Sequence, residues 1–280
     1  MSGLEPPPHA VAEAVGRALA EDLTPLGDLT SALLPPDLAA RADVVVRTGG
    51  VVAGIACADE AFRQVDATVT TSWTVADGAL VEGGTSIGRV EGPLASILTA
   101  ERTALNFLGH LSGIATLTRR FVVVAAAAGR TRVWDTRKTT PGLRSLEKAA
   151  VRAGGGANHR GNLSDWVLLK DNHLALMGMS DAVAAARERW PGRTVHVECD
   201  RLDQVHEALA AGADAVLLDN MSLGDLRRGV DMIGGRAISE ASGRVTPETV
   251  RAIAETGVDL ISVGWLTHSA PILDIGLDAA

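Results

Sequence analysis

The chain has 280 residues, of which 46% are hydrophobic and 21% charged, and its formal net charge is −8. This length and apolar content predict one large globular domain, or one with a smaller companion. The negative charge disfavours a nucleic-acid duplex or an anionic membrane as partner, and an aromatic content of 3% without any Tyr disfavours a base-stacking surface.

The N-terminus and the cysteines indicate the compartment in which the protein works. The first residues carry Glu5 and three prolines instead of a basic region and an apolar stretch, so we expect no signal peptide. The longest apolar run, at 121–129, is about half of what a membrane-spanning helix needs. Cys57 and Cys199 are isolated, which suggests neither a disulfide framework nor a zinc site. We therefore expect a soluble, cytoplasmic protein with no nucleic-acid or membrane partner.

The first part of the chain predicts mixed α/β structure. An amphipathic helix at 10–22 has Val11, Val15 and Leu19 on one stripe. In the loop that follows, Asp22 and Asp28 are better explained by capping of turns than by metal binding. Alternation and turn signals predict strands at 41–47, 50–55 and 67–75, a short helix at 56–64, hairpin turns at 76–92 and a helix at 94–111.

The helix predicted at 94–111 combines Arg102 with many apolar side chains: Leu98, Leu105, Phe107, Leu108 and Leu111. Because this surface is too hydrophobic to face solvent, we expect a two-fold interface that brings Arg102 to the site of a second subunit. The alternative is a helix that packs on its own barrel, with Arg102 in a local ion pair.

From about residue 113, helices alternate with short apolar strands. Six strand candidates end in a polar residue or glycine, at Asp135, Lys170, Glu198, Asp219, Glu240 and Gly264. Such alternation predicts a parallel sheet buried on both faces. Functional side chains at successive strand ends are typical of a TIM-type barrel, whereas no G-x-G-x-x-G motif follows a first strand as a Rossmann sheet requires. Six strands instead of eight predict an incomplete barrel.

The stretch 134–173 reverses the acidic balance of the chain. It contains every lysine of the protein, Lys138, Lys148 and Lys170, and its basic residues outnumber its acidic ones. Lysine offers a compact ammonium with a tunable pKa. We expect a site for a small anion with more than one negative charge, formed by Arg137, Lys138, His159, Arg160 and Lys170. An ordinary basic surface is the alternative.

Other strand-end residues complement this basic stretch. Glu198 and Asp219 can hold Mg²⁺ with a phosphate-bearing substrate, or accept hydrogen bonds from ribose hydroxyls; internal partners for the lysines are the alternative. The segments E-A-S-G-R-V-T (240–246) and S-V-G-W-L-T-H (262–268) supply glycines and hydroxyls where barrels commonly bind phosphate. Together they predict a reaction between an acidic small molecule and a phosphorylated sugar diphosphate.

Several ordered motifs carry a resemblance to a known family. They are E-D-L-x-x-x-G-D-L-T, A-E-R-T-A-L-N-F-L-G-H-L-S-G-I-A-T, D-T-R-K-T-T-P-G-L-R, A-G-G-G-A-N-H-R, L-L-K-D-N-H, L-L-D-N, E-A-S-G and S-V-G-x-L-T-H-S. Across nearly the whole chain, these motifs closely resemble the quinolinate phosphoribosyltransferases, the carboxylating nicotinate-nucleotide pyrophosphorylases of NAD biosynthesis.

The resemblance implies an α/β fold with an N-terminal α/β sandwich domain at 1–112 and an open, seven-stranded, TIM-like α/β barrel at 113–270. A C-terminal tail at 271–280 is expected to pack back on the N-terminal domain. The resemblance also implies a homodimer in which the neighbouring subunit completes each site, with assembly beyond the dimer left open.

The resemblance further implies roles for individual residues. Quinolinate would be bound by Thr136, Arg137, His159, Arg160 and Lys170, with Arg102 reaching across from the other subunit. Lys138, Glu198 and Asp219 would face 5-phosphoribosyl 1-diphosphate, and Glu198 and Asp219 would hold its Mg²⁺ directly or through water or substrate. The 5-phosphate would lie against Ser242, Gly243, Arg244, Val263, Gly264, Trp265 and His268.

The chemistry of this reaction makes Lys138, Lys170, Glu198 and Asp219 the candidate catalytic residues. Neutralised carboxylates leave the ring nitrogen of quinolinate aimed at C1 of the ribose, while Mg²⁺ assists the departure of pyrophosphate. Glu198 or Asp219 would stabilise the oxocarbenium-like state electrostatically. The cationic nitrogen then favours loss of the adjacent carboxylate as CO₂, with Lys138 or Lys170 as proton donor.

Four departures from the family pattern bear on the substrate. Arg244 and Trp265 stand where glycine and a small residue are usual, His196 replaces a common glutamate, and Gly161-Asn162 replaces a bulky residue followed by glycine. One alternative is therefore a paralogue that ribosylates another pyridine or aromatic carboxylate. Two others are a Schiff-base aldolase-type barrel with Lys170 as nucleophile and a catalytically inactive ligand-binding barrel.

Overall fold

The computed structural model describes residues 5–279. Its helices are α1 (Pro8–Leu23), α2 (Ile55–Val65), α3 (Leu94–Ala126), α4 (Arg144–Ala153), α5 (Asp171–Met177), α6 (Met179–Arg189), α7 (Leu202–Ala211), α8 (Leu223–Ile233), α9 (Val250–Ala254) and α10 (Trp265–His268), with a short 3-10 helix at Ser31–Leu33. Its strands are β1 (Ala39–Val46), β2 (Gly50–Val51), β3 (Thr70–Trp73), β4 (Leu80–Val81), β5 (Ser86–Pro93), β6 (Arg132–Trp134), β7 (Val167–Leu169), β8 (Val195–Cys199), β9 (Ala215–Asp219), β10 (Ile238–Ser242), β11 (Leu260–Ser262) and β12 (Ile275–Ala279). Among these helices, none is long and apolar enough to cross a membrane.

The chain divides into two compact units. Unit 1 takes in the described residues up to Arg119, then Thr139–Gly155 and the chain from Leu266 onward. Unit 2 takes in Arg120–Lys138 and Gly156–Trp265. This division differs from a single boundary at 112/113 because α3 runs through that position without a break, and because α4 clusters with the N-terminal elements.

Unit 1 contains an antiparallel sheet in the strand order β12–β1–β5–β3. In β1, Ala42, Val44 and Val46 are buried while the residues between them are partly exposed, and β12 pairs along the same strand with Val44 opposite Leu277. The helices predicted at 10–22 and 56–64 and the strand predicted at 41–47 are confirmed. The strands predicted at 50–55 and 67–75 shorten to β2 and β3.

Helix α3 is longer than the sequence predicts. Beyond residue 111, its buried side chains continue at helical spacing through Ile114, Thr118, Phe121 and Ala125, so the helix does not end where a change of pattern is expected. This helix is expected from the sequence to place its apolar residues in a two-fold interface, and the structure of the single chain already covers most of them. Its apolar residues are buried within the single chain, at Leu105, Phe107, Leu108 and Leu111, whereas Leu98 is 42% exposed.

Unit 2 is built on a parallel sheet in the order β6–β11–β10–β9–β8–β7, which confirms the six predicted strands. The first strand, β6, pairs with the last, β11, as in a barrel. On the other side of β6, Trp134 forms a parallel bridge with Ala157. The seventh strand of the expected barrel is thus a single bridge, and within residues 5–279 no ladder joins this segment to β7. The barrel is open at that point.

Two predicted strand ends lie inside their strands. Strand β8 continues past Glu198 to Cys199, and β10 continues past Glu240 to Ser242. Side chains two residues apart on a strand share one face, so Glu240 faces the same side as Ser242 but lies deeper. Glu240 is consequently fully buried, whereas Glu198 is partly exposed.

Two aspartates hold the amino-terminal ends of neighbouring strands. Asp214, just before β9, accepts a hydrogen bond from the backbone of Val195 at 2.7 Å through Oδ2. Asp259, just before β11, accepts through Oδ2 from the backbone and the hydroxyl of Ser239 at 2.8 and 2.6 Å. These bonds fix the register of strands whose other ends carry polar side chains.

We predict that Asp259→Ala lowers the free energy of unfolding by about 1–3 kcal/mol, because the buried Ser239 N–H and hydroxyl lose their acceptor. Denaturant unfolding measures this loss, with Asp231→Ala on the exposed side of α8 as the control. A loss no larger than that of the control would contradict the role given to Asp259.

Candidate active site

A cavity of about 590 Å³ opens at the carboxyl ends of the unit 2 strands. Because parallel strands all end at the same edge, each contributes side chains to it. The lining residues are Thr136, Arg137, Lys138, His159, Arg160, Leu168, Lys170, Glu198, Leu217, Asp219, Asn220, Glu240, Ser242, Gly243, Arg244 and Ser262. The fold therefore brings together most of the residues that the sequence nominates for the site.

Five cations line this cavity: Arg244 and the group Arg137, Lys138, Arg160 and Lys170, which we call its cationic side. Arg160 is 9% exposed, and burial together with the neighbouring charge of Arg137 lowers the pKa of its guanidinium. The Nε of Arg137 is buried and has no hydrogen-bond partner among the described residues. Like charges at this spacing are stabilised by an anion between them, so the geometry favours a polyanionic ligand.

Asp135 ties the two basic segments together. It is fully buried directly after β6, where Oδ1 accepts from the backbone N–H of His159 at 2.8 Å and Oδ2 accepts from the side-chain amide of Asn158 at 2.7 Å. Since Arg137 and Arg160 lie one or two residues from these contacts, Asp135 sets the spacing between the two arginines.

Lys170 is held at the junction of β7 and α5. Its backbone N–H donates to Nδ1 of His173 at 3.1 Å, and its Nζ lies 2.5 Å from Oε2 of Glu198. The side chain of Glu198 is 18% exposed, so this ion pair is partly shielded from solvent. The pair joins the cationic side of the cavity to its carboxylates.

The ends of β9 and β10 meet in a tight arrangement. The backbone N–H of Asn220 donates to the carbonyl of Ser242 at 3.0 Å, and the Asn220 amide donates to Asp219 at 2.6 Å. At Gly243, φ is +96°, and a side chain would collide with the Asn220 amide, so only glycine fits. Among the described residues, Asn220 and Arg244 are the non-glycine residues with positive φ. Both line the cavity, and such strain of about 1–3 kcal/mol concentrates at functional sites.

Glu240 is a cavity-lining acid that the sequence analysis does not nominate for the site. The Ser262 hydroxyl donates to its Oε1, from which Nε2 of His159 lies 3.6 Å away, while Oε2 has no hydrogen-bond partner among the described residues. Burial raises the pKa of Glu240 to about 7, although the hydrogen bond from Ser262 opposes this shift. The available signal was an acid at the end of a predicted barrel strand. How deeply Glu240 is buried depends on where β10 ends, and β10 continues to Ser242.

Aromatic rings surround His159. Its centroid lies 5.5 Å from that of Trp134, 5.0 Å from that of Trp166 and 6.5 Å from that of His196, and Trp166 stacks on His196 at 5.1 Å. Burial lowers the pKa of His196 to about 4, so this imidazole is neutral near pH 7. His196 therefore packs beside the lining residues, as a neutral ring, and does not line the cavity itself.

Some nominated residues lie elsewhere. Val263, Gly264 and Trp265 are not among the described residues that line the cavity. Strand β11 ends at Ser262, after which the backbone N–H of buried Val263 donates to the carbonyl of Trp134 at 2.9 Å, and Trp265 is 46% exposed. The hydroxyl that reaches the cavity from this strand is that of Ser262.

Two further nominated residues belong to unit 1. Arg102 is exposed on α3 and lines a separate cavity of about 300 Å³ with Asn106 and Ile272, among others. His268 is exposed at the end of α10, where its Nδ1 lies 2.6 Å from the hydroxyl of Ser269.

Known proteins resemble this chain over almost its whole length. The family model for the N-terminal domain of quinolinate phosphoribosyl transferase matches residues 28–112, and that for the C-terminal domain matches 114–278. A quinolinate phosphoribosyltransferase [decarboxylating] of Nicotiana tabacum is 41% identical, over 98% of this chain and 84% of that protein. A probable nicotinate-nucleotide pyrophosphorylase [carboxylating] of Bacillus subtilis is 42% identical, over 90% and 88%. The structure of the nicotinate-nucleotide pyrophosphorylase from Francisella tularensis superposes with a TM-score of 0.95 at 38% identity, covering 99% and 98% of the two chains.

We predict that Glu240→Gln stabilises the protein progressively as the pH rises. The carboxyl has an ordinary pKa of 4.5 and a folded-state pKa of about 7. Between these values the folded protein keeps a proton that the unfolded chain has lost, so wild-type stability falls as the pH rises through this window. Glutamine has no such proton to lose.

The difference in Tm between variant and wild type should therefore widen across this pH range in calorimetry. Glu207→Gln, which changes an exposed acid on α7, is the matched control. A difference that does not vary with pH would contradict the buried, neutral carboxyl.

Proposed function

The chain belongs to the quinolinate phosphoribosyltransferase family, and on that premise we infer that its unit 2 cavity transfers the phosphoribosyl group of 5-phosphoribosyl 1-diphosphate to the ring nitrogen of quinolinate. The products are nicotinate mononucleotide, CO₂ and pyrophosphate. The observation that carries this inference is the convergence of five cationic and three acidic side chains on one cavity of about 590 Å³.

We propose that Arg137, Arg160 and Lys170 bind the two carboxylates of quinolinate. Guanidinium groups bind carboxylates in bidentate fashion, and each charge-assisted bond contributes about 1.5–3 kcal/mol. The lowered pKa of Arg160 and the unpartnered Nε of Arg137 support this assignment, because both groups gain from an anion in the cavity. Thr136 and His159 also line the cavity.

Glu198 and Asp219 suit a site for Mg²⁺. In enzymes that act on phosphates, this ion is commonly held by one or two carboxylates together with substrate oxygens, and both carboxylates line the cavity. Mg²⁺ supplies charge neutralisation to a pyrophosphate leaving group. The same two carboxylates stabilise positive charge that develops on the ribose, as Glu198 already does for Lys170.

Ser242, Gly243 and Arg244 form the proposed contact for the 5-phosphate. The turn at Gly243 leaves backbone unobstructed by a side chain, and Arg244 adds a positive charge. After transfer, the ring nitrogen is cationic and withdraws electrons from the adjacent carboxylate, whose departure as CO₂ leaves a carbanion beside a positive charge. Lys138 and Lys170 are the proposed proton donors at that carbon.

The placement of the unusual residues favours quinolinate over a different aromatic acid. Of the departures from the family pattern, Arg244 lines the cavity, whereas His196, Gly161, Asn162 and Trp265 are not among its lining residues. Arg244 lies in the turn after β10, where we propose a contact with the 5-phosphate and not with the aromatic acid. The Schiff-base alternative is disfavoured by the ion pair of Lys170 with Glu198 at 2.5 Å, because an ammonium is not a nucleophile.

We also propose a cytoplasmic homodimer in which Arg102 serves the site of the neighbouring subunit. Arg102 is exposed and forms no ion pair within the described residues, and the cavity that it lines includes Ile272, which is 73% exposed. A cation and apolar surface left uncovered together suit an interface between subunits. The reducing location is supported by Cys57 and Cys199, which are both buried and free.

Incubation with quinolinate, 5-phosphoribosyl 1-diphosphate and Mg²⁺ tests the function. We expect one CO₂ and one pyrophosphate for each quinolinate consumed, and much slower use of nicotinate, which lacks the second carboxylate. Arg160→Ala should lower kcat/KM for quinolinate. The loss should correspond to about 2–4 kcal/mol of transition-state stabilisation, because a substrate carboxylate loses its partner.

Arg228→Ala, on the exposed side of α8, is the control and should behave as wild type. If nicotinate is used as well as quinolinate, the pocket for two carboxylates is wrong and a paralogue with another substrate gains support.

Complementation tests the shared site. Arg102→Ala and Lys138→Ala homodimers should each be nearly inactive. In a mixed dimer one site carries both changes and the other carries neither, so co-refolding should restore part of the activity. A mass tag on one variant can show whether the subunits exchange. If they exchange and the activity stays at the level of the two parent homodimers, each site is built from one chain.

A further inference from the structure

Glu240 has no role in the reaction as described above. It lines the cavity although it is fully buried, and its Oε1 accepts the hydroxyl of Ser262. Its Oε2 is buried and has no hydrogen-bond partner among the described residues. A buried polar atom without a hydrogen-bond partner destabilises the folded protein by about 1–3 kcal/mol. Such an atom beside a binding cavity therefore favours a ligand that supplies the missing hydrogen bond.

The surroundings of Glu240 determine its charge. Its ladder partners on β9 and β11 are the apolar Leu217 and Leu260. Removal from water disfavours the carboxylate form. The negative charge of Glu198 adds to this effect, whereas the hydrogen bond from Ser262 and the positive charge of Lys170 oppose it. Nε2 of His159 lies 3.6 Å from Oε1 of Glu240. The other titratable and charged groups that line the cavity with it are Arg137, Lys138, Arg160, Lys170, Glu198, Asp219 and Arg244. His196 lies behind His159 as a neutral ring.

We propose that Glu240 is a substrate-binding residue that stands as a neutral carboxylic acid at the floor of the cavity and donates its Oε2 hydrogen to a carboxylate of the acidic substrate. This assignment rests on the proposed function only in that the ligand is an aromatic dicarboxylate. A hydrogen bond from a neutral acid to a carboxylate is charge-assisted, and it adds a donor to the cationic side of the cavity without adding a charge. As a carboxylate, Glu240 would have no hydrogen to donate and would repel the ligand.

A measurable consequence follows from proton linkage. Above about pH 7 part of the free protein has lost the Glu240 proton, so dicarboxylate binding must restore it. Binding should then take up close to one proton per site at alkaline pH, and affinity should fall about tenfold per pH unit. Below about pH 6 the proton is already in place, and neither effect should appear.

Isothermal titration calorimetry with benzene-1,2-dicarboxylate measures this uptake directly. The probe has both carboxylates but no ring nitrogen to ribosylate, so no turnover disturbs the titration. Experiments in buffers of different ionisation enthalpy, at about pH 6 and about pH 8.5, give the number of protons bound. We expect uptake at the higher pH in the wild type and none in Glu240→Gln, whose affinity should be nearly independent of pH.

His159→Gln separates this proposal from its nearest competitor, in which the dicarboxylate protonates the imidazole. Uptake should persist in His159→Gln. Uptake that survives in Glu240→Gln would show that another group takes up the proton, and uptake that disappears in His159→Gln would show that it depends on the imidazole. Either result would overturn the proposal.

A second measurement does not depend on the variant's fold. The infrared difference spectrum of wild-type protein on binding at about pH 8.5 should gain a protonated-carboxyl C=O band, and its absence overturns the proposal. Failure of the probe to bind at any pH would overturn both the dicarboxylate pocket and the role of Glu240. Binding and quinolinate turnover without proton uptake would overturn the role of Glu240 alone.

Discussion

Parallel pairing of the unit 2 strands is the constraint on which the site depends. Along each strand, alternate side chains face the same side, and the ladder aligns them from strand to strand. The register of β7 with β8 aligns Leu168 with His196, two residues before Lys170 and Glu198. The register of β9 with β10 aligns Asp219 with Ser242. Chemically unlike groups from distant parts of the chain therefore meet at one edge without any direct sequence relation.

The resulting site balances groups that would each be unfavourable alone. Arg137 and Arg160 are close enough for one charge to lower the pKa of the other. Lys170 is offset by Glu198. Burial shifts the pKa values of His196 and Glu240 towards their neutral forms, so that His196 is neutral near pH 7 and Glu240 is protonated below it. The cavity thus keeps positive charge where an anion can reach it and eliminates charge where nothing can compensate for it.

The backbone is strained at two residues that line the cavity. Asn220 and Arg244 have φ values of 53° and 49°, at the ends of adjacent strands. Asparagine tolerates this region better than arginine does, and the amide of Asn220 is used to bind Asp219. Gly243, between Ser242 and Arg244, accommodates the contact with Asn220 that a larger residue would block. The two turns form one unit, which positions Asp219 and the proposed phosphate contact together.

Much of this protein was determined by the sequence itself. Local patterns were sufficient for the alternation of helices and strands after residue 113, and for the nomination of Arg137, Lys138, Lys170, Glu198 and Asp219, because strand ends and motifs are local features. The tertiary structure alone decided that Glu240 belongs to the cavity and that Val263 and Trp265 do not line it. It also decided that the apolar side of α3 is buried within the chain. Burial and titration depend on where each strand stops and on what packs against it, and these are properties of residues far apart in the chain.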